Sequence, residues 1–178
     1  MARRVVIGVM GAGENARAID IRNAFALGSA IANQGWVVLT GGRNRGVMDA
    51  VNKGAKASGG LTVGILPTNN RRTISVAVDV AIITDMGSAR NYINVLTSDV
   101  IVACGAGGAG TASEIALALK SEKFVVLFNS SEESRAFFKK ISGRLVLEAD
   151  SVSKTIHIIK LLLAKMRKSS TRTIKRQT

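Results

Sequence analysis

One stretch constrains the fold more than any other: Val100-Ile-Val-Ala-Cys-Gly-Ala-Gly-Gly-Ala-Gly-Thr-Ala-Ser-Glu114. Val100 to Cys104 is a short apolar run of the kind a parallel sheet buries on both faces. Four glycines follow (Gly105, Gly107, Gly108, Gly110), and Thr111 then opens a helix with apolar spacing at Ala112, Ile115, Ala116 and Leu119. Strand, glycine turn and helix in that order form an anion site. The glycines let backbone approach a phosphate, and the first N–H groups of the helix point at it with the positive end of the dipole behind them. Thr111 and Glu114 also have capping-box spacing, so Glu114 has a purely local use as well.

The remainder repeats this unit. Strands are expected at Arg4–Met10, Trp36–Thr40, Leu61–Leu66, Val78–Thr84, Phe124–Phe128 and Leu145–Leu147. Helices are expected at about 18–34 (stripe Ile21, Ala24, Phe25, Gly28, Ala32), 46–58, 87–97, from Ser130-Ser-Glu-Glu133 onward, and about 151–167. Alternation of this kind predicts an α/β fold: a doubly wound, Rossmann-like, mostly parallel sheet of about seven strands with helices on both faces. Residues 1–167 form one phosphate-ligand-binding domain, and 168–178 a basic, disordered tail.

Glycine turns follow the first, second, fourth and fifth strands, at Gly11/Gly13, Gly41/Gly42/Gly46, Gly87 and Gly105–Gly110. In a doubly wound sheet these turns share the carboxyl edge, where ligands bind at the switch in strand order. The turns at the other edge are plainer. Arg43, Arg45 and Arg90 stand beside the glycines, and guanidinium groups match phosphate with two parallel hydrogen bonds. Asp49, Asn44 and Asn91 are the candidates to read ribose or base edges, and the sequence does not choose between them. Gly11-x-Gly13-x-x-Ala16 approaches a dinucleotide fingerprint, but the second strand runs into Thr40-Gly41-Gly42 without the acidic residue that holds an NAD ribose.

Composition excludes other classes. The net charge is +13; six of those charges lie from Lys165 onward, where no acid occurs, leaving +7 on the body. No apolar run is long enough for a membrane span. The start leaves no room for a signal peptide, and the one cysteine, Cys104, forms no internal disulfide, so the expected setting is the cytoplasm. Lone His157 has no metal-ligating neighbours, and no triad or metal site is evident. Trp36 and Tyr92 are read as core residues rather than a stacking platform, which argues against nucleic acid as a partner.

Gly41-Gly-Arg-Asn-Arg-Gly-Val-Met48 resembles the Gly-Gly-Gly-x-x-Gly-Leu-Met segment of the LONELY GUY-type (lysine-decarboxylase-like) proteins, and Ala106-Gly-Gly-Ala-Gly-Thr-Ala-Ser-Glu114 resembles their Pro-Gly-Gly-x-Gly-Thr-x-x-Glu motif. Those enzymes release a base from a nucleoside 5′-monophosphate. Arg90-Asn91 stands where they carry Arg-Lys, and Ala106 replaces the motif proline. With Ser-Glu-Ile-Ala after the second motif, the pattern resembles the molybdenum cofactor carrier branch. That resemblance implies binding of the molybdenum cofactor (molybdopterin), or another phosphorylated nucleotide-like ligand, without turnover, in a Rossmann-like homo-oligomer (dimer or tetramer) with molybdoenzymes as recipients. The alternative is the phosphoribohydrolase, with Arg90 and Glu114 catalytic. The expected binding set is Gly11, Gly13, Gly41, Gly42, Arg43, Arg45, Gly46, Arg90, Asn91, Gly105, Gly107, Gly108, Gly110, Thr111 and Glu114, with no metal ligands.

Overall fold

The computed structural model describes residues 3–105 and 107–177, with side chains as far as Lys168. Ala106 and the side chains from residue 169 onward lie outside the described residues; the backbone of the segment expected to be a disordered tail continues the last helix as far as Gln177. Seven strands form one parallel sheet: β1 (Val6–Gly11), β2 (Val37–Thr40), β3 (Thr62–Leu66), β4 (Val80–Ile83), β5 (Val100–Cys104), β6 (Val125–Phe128) and β7 (Val146–Ala149). The spatial order is β4-β3-β2-β1-β5-β6-β7. The chain winds outward from β1 to β4, crosses back, and winds outward again from β5. The switch therefore falls between β1 and β5, whose residues pair from Ile7↔Val100 to Gly11↔Cys104.

Helices α1 (Ala18–Ala32), α2 (Gly46–Ala57) and α6 (Val152–Gln177) share one hydrophobic layer with Ile7, Val9, Val100 and Val102. Helices α3 (Asn91–Thr97), α4 (Ala109–Lys120) and α5 (Glu132–Ser142) belong with the other face, where Met10, Leu39, Ile101 and Ile115 pack. All five residues of β5 are buried, as a central parallel strand requires. β4 is the opposite: all four of its residues are exposed, because β3 reaches it through a 3₁₀ turn at Arg71–Thr73 rather than a covering helix.

Several sequence expectations need correction. The inward stripe of α1 is Asp20, Ala24, Leu27, Gly28 and Ile31, while Ile21 and Phe25 are exposed. A buried acid disguised the register; Arg17 compensates it with two hydrogen bonds, at 2.8 and 2.9 Å. Residues 87–97 are a 3₁₀ turn (Gly87–Arg90) followed by α3, not one helix. Tyr92 is exposed, whereas Trp36 packs half-buried against the core. The cap of α5 is Ser131, whose hydroxyl accepts the Ser134 N–H. Cys104 is a core residue, its thiol pushed up to about 12 by burial and then by the Asp20 charge.

Candidate functional site

Above the carboxyl ends of β1 and β2 lies a hollow of about 180 Å³. Gly11 and Gly13 bring the β1 turn to it, and Gly41, Arg43 and Met48 bring the β2 turn. Ser88, Arg90 and Asn91 come from the turn entering α3, and Gly110, Thr111 and Glu114 from the first turns of α4. Four separate segments meet at the strand-order switch, where such folds place their ligands. Larger hollows of about 490 and 430 Å³ lie between α1 and α6 and between α1 and α2, but neither contains Arg43, Arg90 or Glu114.

At the centre is a buried ion pair. Arg90 Nη1 donates to Glu114 Oε1 at 3.4 Å and to Asn91 Oδ1. The side chains of Arg90 and Glu114 are only 11% and 9% exposed. Asn91 Nδ2 donates to Ser113 Oγ at 3.0 Å, and Asn94 Nδ2 donates to Glu114 Oε1 at 2.8 Å. Burial pulls the Arg90 guanidinium below its ordinary value, the Glu114 charge opposes this, and nearby Arg43 adds to it. Burial pushes the Glu114 carboxyl above the usual range, against the Asn94 hydrogen bond and the Arg90 charge. Arg90 Nε and Asn94 Oδ1 are buried without partners among the described residues. Arg90 thus brings a cationic side chain to the wall of the hollow, although its unpartnered Nε is itself buried.

Gly41 sits against the ends of the Arg90 and Met48 side chains. A Cβ there would stand 2.8 Å from Arg90 Nη2 and 2.9 Å from Met48 Sδ. The N-terminus of α4 is open. It begins at Ala109 with Gly108 as N-cap, and no side chain caps it. A Cβ on Gly108 or Gly110 would meet nothing within 4 Å. The capping box expected between Thr111 and Glu114 does not form, because the glycines let the helix start two residues earlier. Glu114 points into the Arg90 network instead.

Six expected residues do not line the hollow: Gly42, Arg45, Gly46, Gly105, Gly107 and Gly108. Gly42 N–H donates to Thr40 Oγ1 at 3.0 Å, and Gly105 N–H to the Phe128 carbonyl at 2.8 Å. Gly46, at φ +53, packs against the β1 turn, with a notional Cβ 2.1 Å from the Gly13 carbonyl oxygen. Gly107 turns against Thr111, and Gly108 faces a small recess between α4 and α5. Arg45 is exposed and paired with Glu14 at 3.5 Å. Asn94, fully buried, is the residue sequence reasoning missed. Its spacing of four from Arg90, which puts both on one helical face, was the available signal. Met48, which closes the Gly41–Met48 motif, and Ser88, which has no such pattern, also line the hollow.

Among the described residues no group of three or more potential ligands could hold a metal, and no helix is long and apolar enough to cross a membrane.

This architecture has solved relatives. The chain is 51% identical to the molybdenum cofactor binding protein of the phototrophic bacterium Rippkaea orientalis, covering 92% of this chain and 99% of that one with a TM-score of 0.89. It is 47% identical to the molybdenum cofactor carrier protein of Chlamydomonas reinhardtii, covering 91% and 99% with a TM-score of 0.87. A more distant relative is the cytokinin riboside 5′-monophosphate phosphoribohydrolase of Mycobacterium tuberculosis, 36% identical over 94 residues, which are 52% of this chain and 50% of the enzyme. Residues 4–156 match the model of the SLOG cluster4 family. With that match running through all seven strands, the chain belongs to the SLOG cluster4 family.

Proposed function

We propose that this protein is a cytoplasmic carrier of the molybdenum cofactor, holding the phosphorylated pterin at the β1/β5 switch and releasing it unchanged to molybdoenzymes. The observation that carries this reading is near-complete coverage at about half identity by proteins described as binding or carrying that cofactor, joined to a crevice built for an anion. At about 180 Å³ the hollow is smaller than the ~300–1,000 Å³ of sites that enclose a whole drug-sized ligand. It fits the anionic end of a guest whose bulk extends over the glycine turns. The first N–H groups of α4 would take the phosphate, Arg90 would supply charge-assisted hydrogen bonds, and Gly11, Gly13 and Gly41 would let the heterocycle lie against backbone. A homo-oligomer, dimer or tetramer, is part of this reading, since a second copy would cover the exposed apolar side chains of β4.

A second reading, hydrolysis of nucleoside 5′-monophosphates, is favoured by Arg90 and Glu114 standing together and by the hydrolase relative. Against it, Asn91 fills the place of the enzymes' lysine and is engaged by Arg90 and Ser113. Glu114 is spoken for by Arg90 and Asn94 rather than poised as a free base.

Mass spectrometry of the protein purified from cofactor-producing cells tests the first reading, with an AMP incubation alongside. The expected result is cofactor retained by the wild type and lost in Arg90→Ala, with no adenine released. Adenine release that disappears in Glu114→Ala would move the assignment to the hydrolase.

A further inference from the structure

Arg43 and Arg45 already hold an anion, and it belongs to the chain. Arg43 lies 3.6 Å and Arg45 3.5 Å from the same oxygen, Oε1 of Glu14. The two turns that carry these groups are locked together. Val47 N–H donates to the Ala12 carbonyl at 3.0 Å, and Gly46 packs on Gly13. Arg43 is pinned in turn by its bridge to Ile74. Glu14 therefore cannot avoid the arginines by moving the backbone, but its side chain is 61% exposed and free to swing. Both contacts are longer than hydrogen bonds, and exposed pairs of this kind contribute about 1 kcal/mol or less. Arg43 lines the hollow and its charge reaches Arg90; Glu14 does not line it.

We propose that Glu14 is an internal stand-in for the ligand's anionic group, displaced from Arg43 when a phosphate enters the hollow, while Arg45, which lies outside it, keeps its pair with Glu14. This rests on the crevice being the anion site. A carboxylate carries one negative charge, whereas a phosphate monoester carries about 1.5 to 2 at neutral pH and accepts a guanidinium fork more fully. The exchange therefore favours a phosphate, while a guest carboxylate would replace like with like. Releasing Arg43 from Glu14 costs every guest anion the same, so Glu14 lowers the affinity of the site for anions generally and sets how tightly the ligand's phosphate is held.

The test is titration of wild type, Glu14→Gln, Arg43→Ala/Arg45→Ala and the triple variant with two probes: the molybdenum cofactor, and a simple phosphate anion (inorganic phosphate, or pyrophosphate where tighter binding is needed) in place of the cofactor's anionic group. Glu14→Gln is expected to bind both about two- to fivefold more tightly than wild type, a gain set by the weakness of an exposed pair. The gain should vanish when both arginines are absent, which a merely structural effect of Glu14 would not do. Unchanged or weaker binding by Glu14→Gln overturns the proposal. Binding of the simple phosphate anion with the gain but no cofactor binding would overturn the carrier reading and leave this inference standing. No binding of either probe to any form would overturn both.

Discussion

The turns into α2 and α4 look alike as sequence and both reach the hollow, but they use their glycines differently. Both are glycine-rich, both follow a buried strand and both end in a helix N-terminus. At α2 nearly every polar group is consumed internally: Gly42 N–H by Thr40, Asn44 N–H by the Thr73 carbonyl, Val47 N–H by the Ala12 carbonyl, and the arginines by Glu14. At α4 the N-cap is a bare glycine, Gly110 faces open space, and Thr111 and Glu114 line the hollow. At Gly46 in the first turn glycine lets backbone pack on backbone; at Gly108 and Gly110 in the second it leaves open space. The number of glycines does not separate these cases, but what a Cβ would strike does.

The largest consequence lies in the packing turn. Gly46→Ala sets a methyl against the Gly13 carbonyl in a backbone conformation that L residues rarely adopt. It should destabilise the fold by about 3 kcal/mol, a drop in Tm on the order of 6–12 °C by thermal denaturation. A negligible change would mean that the two turns are not locked together. Next comes Arg90→Ala, which removes a charged donor facing the crevice. It should weaken cofactor binding about 10- to 100-fold in a direct titration. Retained affinity would shift the site away from the buried ion pair.

Gly110→Ala sharpens the comparison because its two effects have opposite signs. In a helix with open space around it, the methyl should stabilise the fold by about 0.5 kcal/mol while hindering phosphate approach. Tighter folding with undiminished binding would show that the ligand does not come close to α4. The smallest effect is a pH dependence. Glu114 holds its proton more tightly in the fold than in the unfolded chain, whose ordinary value is 4.5. Its contribution to stability is thus present below that value and is lost as pH rises through the raised one. Denaturation midpoints of wild type and Glu114→Gln, measured across that range, should diverge in favour of wild type as pH falls. A constant difference would contradict it.

The α/β alternation was legible because apolar runs and glycine punctuation carry backbone information directly. Arg90 and Glu114 were legible as motif residues, and their junction at the switch followed from the topology. What failed depended on which side chains pair with which. Asp20 reads as a surface residue until Arg17 is seen to compensate it, which shifted the α1 stripe away from Leu27 and Ile31. Glu114 reads as a cap until Asn94 and Arg90 claim it. Gly42 and Gly46 read as ligand contacts because φ and close approach leave the same residue behind whether the neighbour is a phosphate or a carbonyl.

Amide hydrogen exchange with and without the molybdenum cofactor tests the central claim most directly, since it reads both turns in one experiment. The amides of Gly110 and Thr111 should gain protection when the cofactor is added, while those of Gly42 and Val47 should be protected to the same degree in both states. Protection gained at the α2 turn with none at Gly110 and Thr111 would contradict the account.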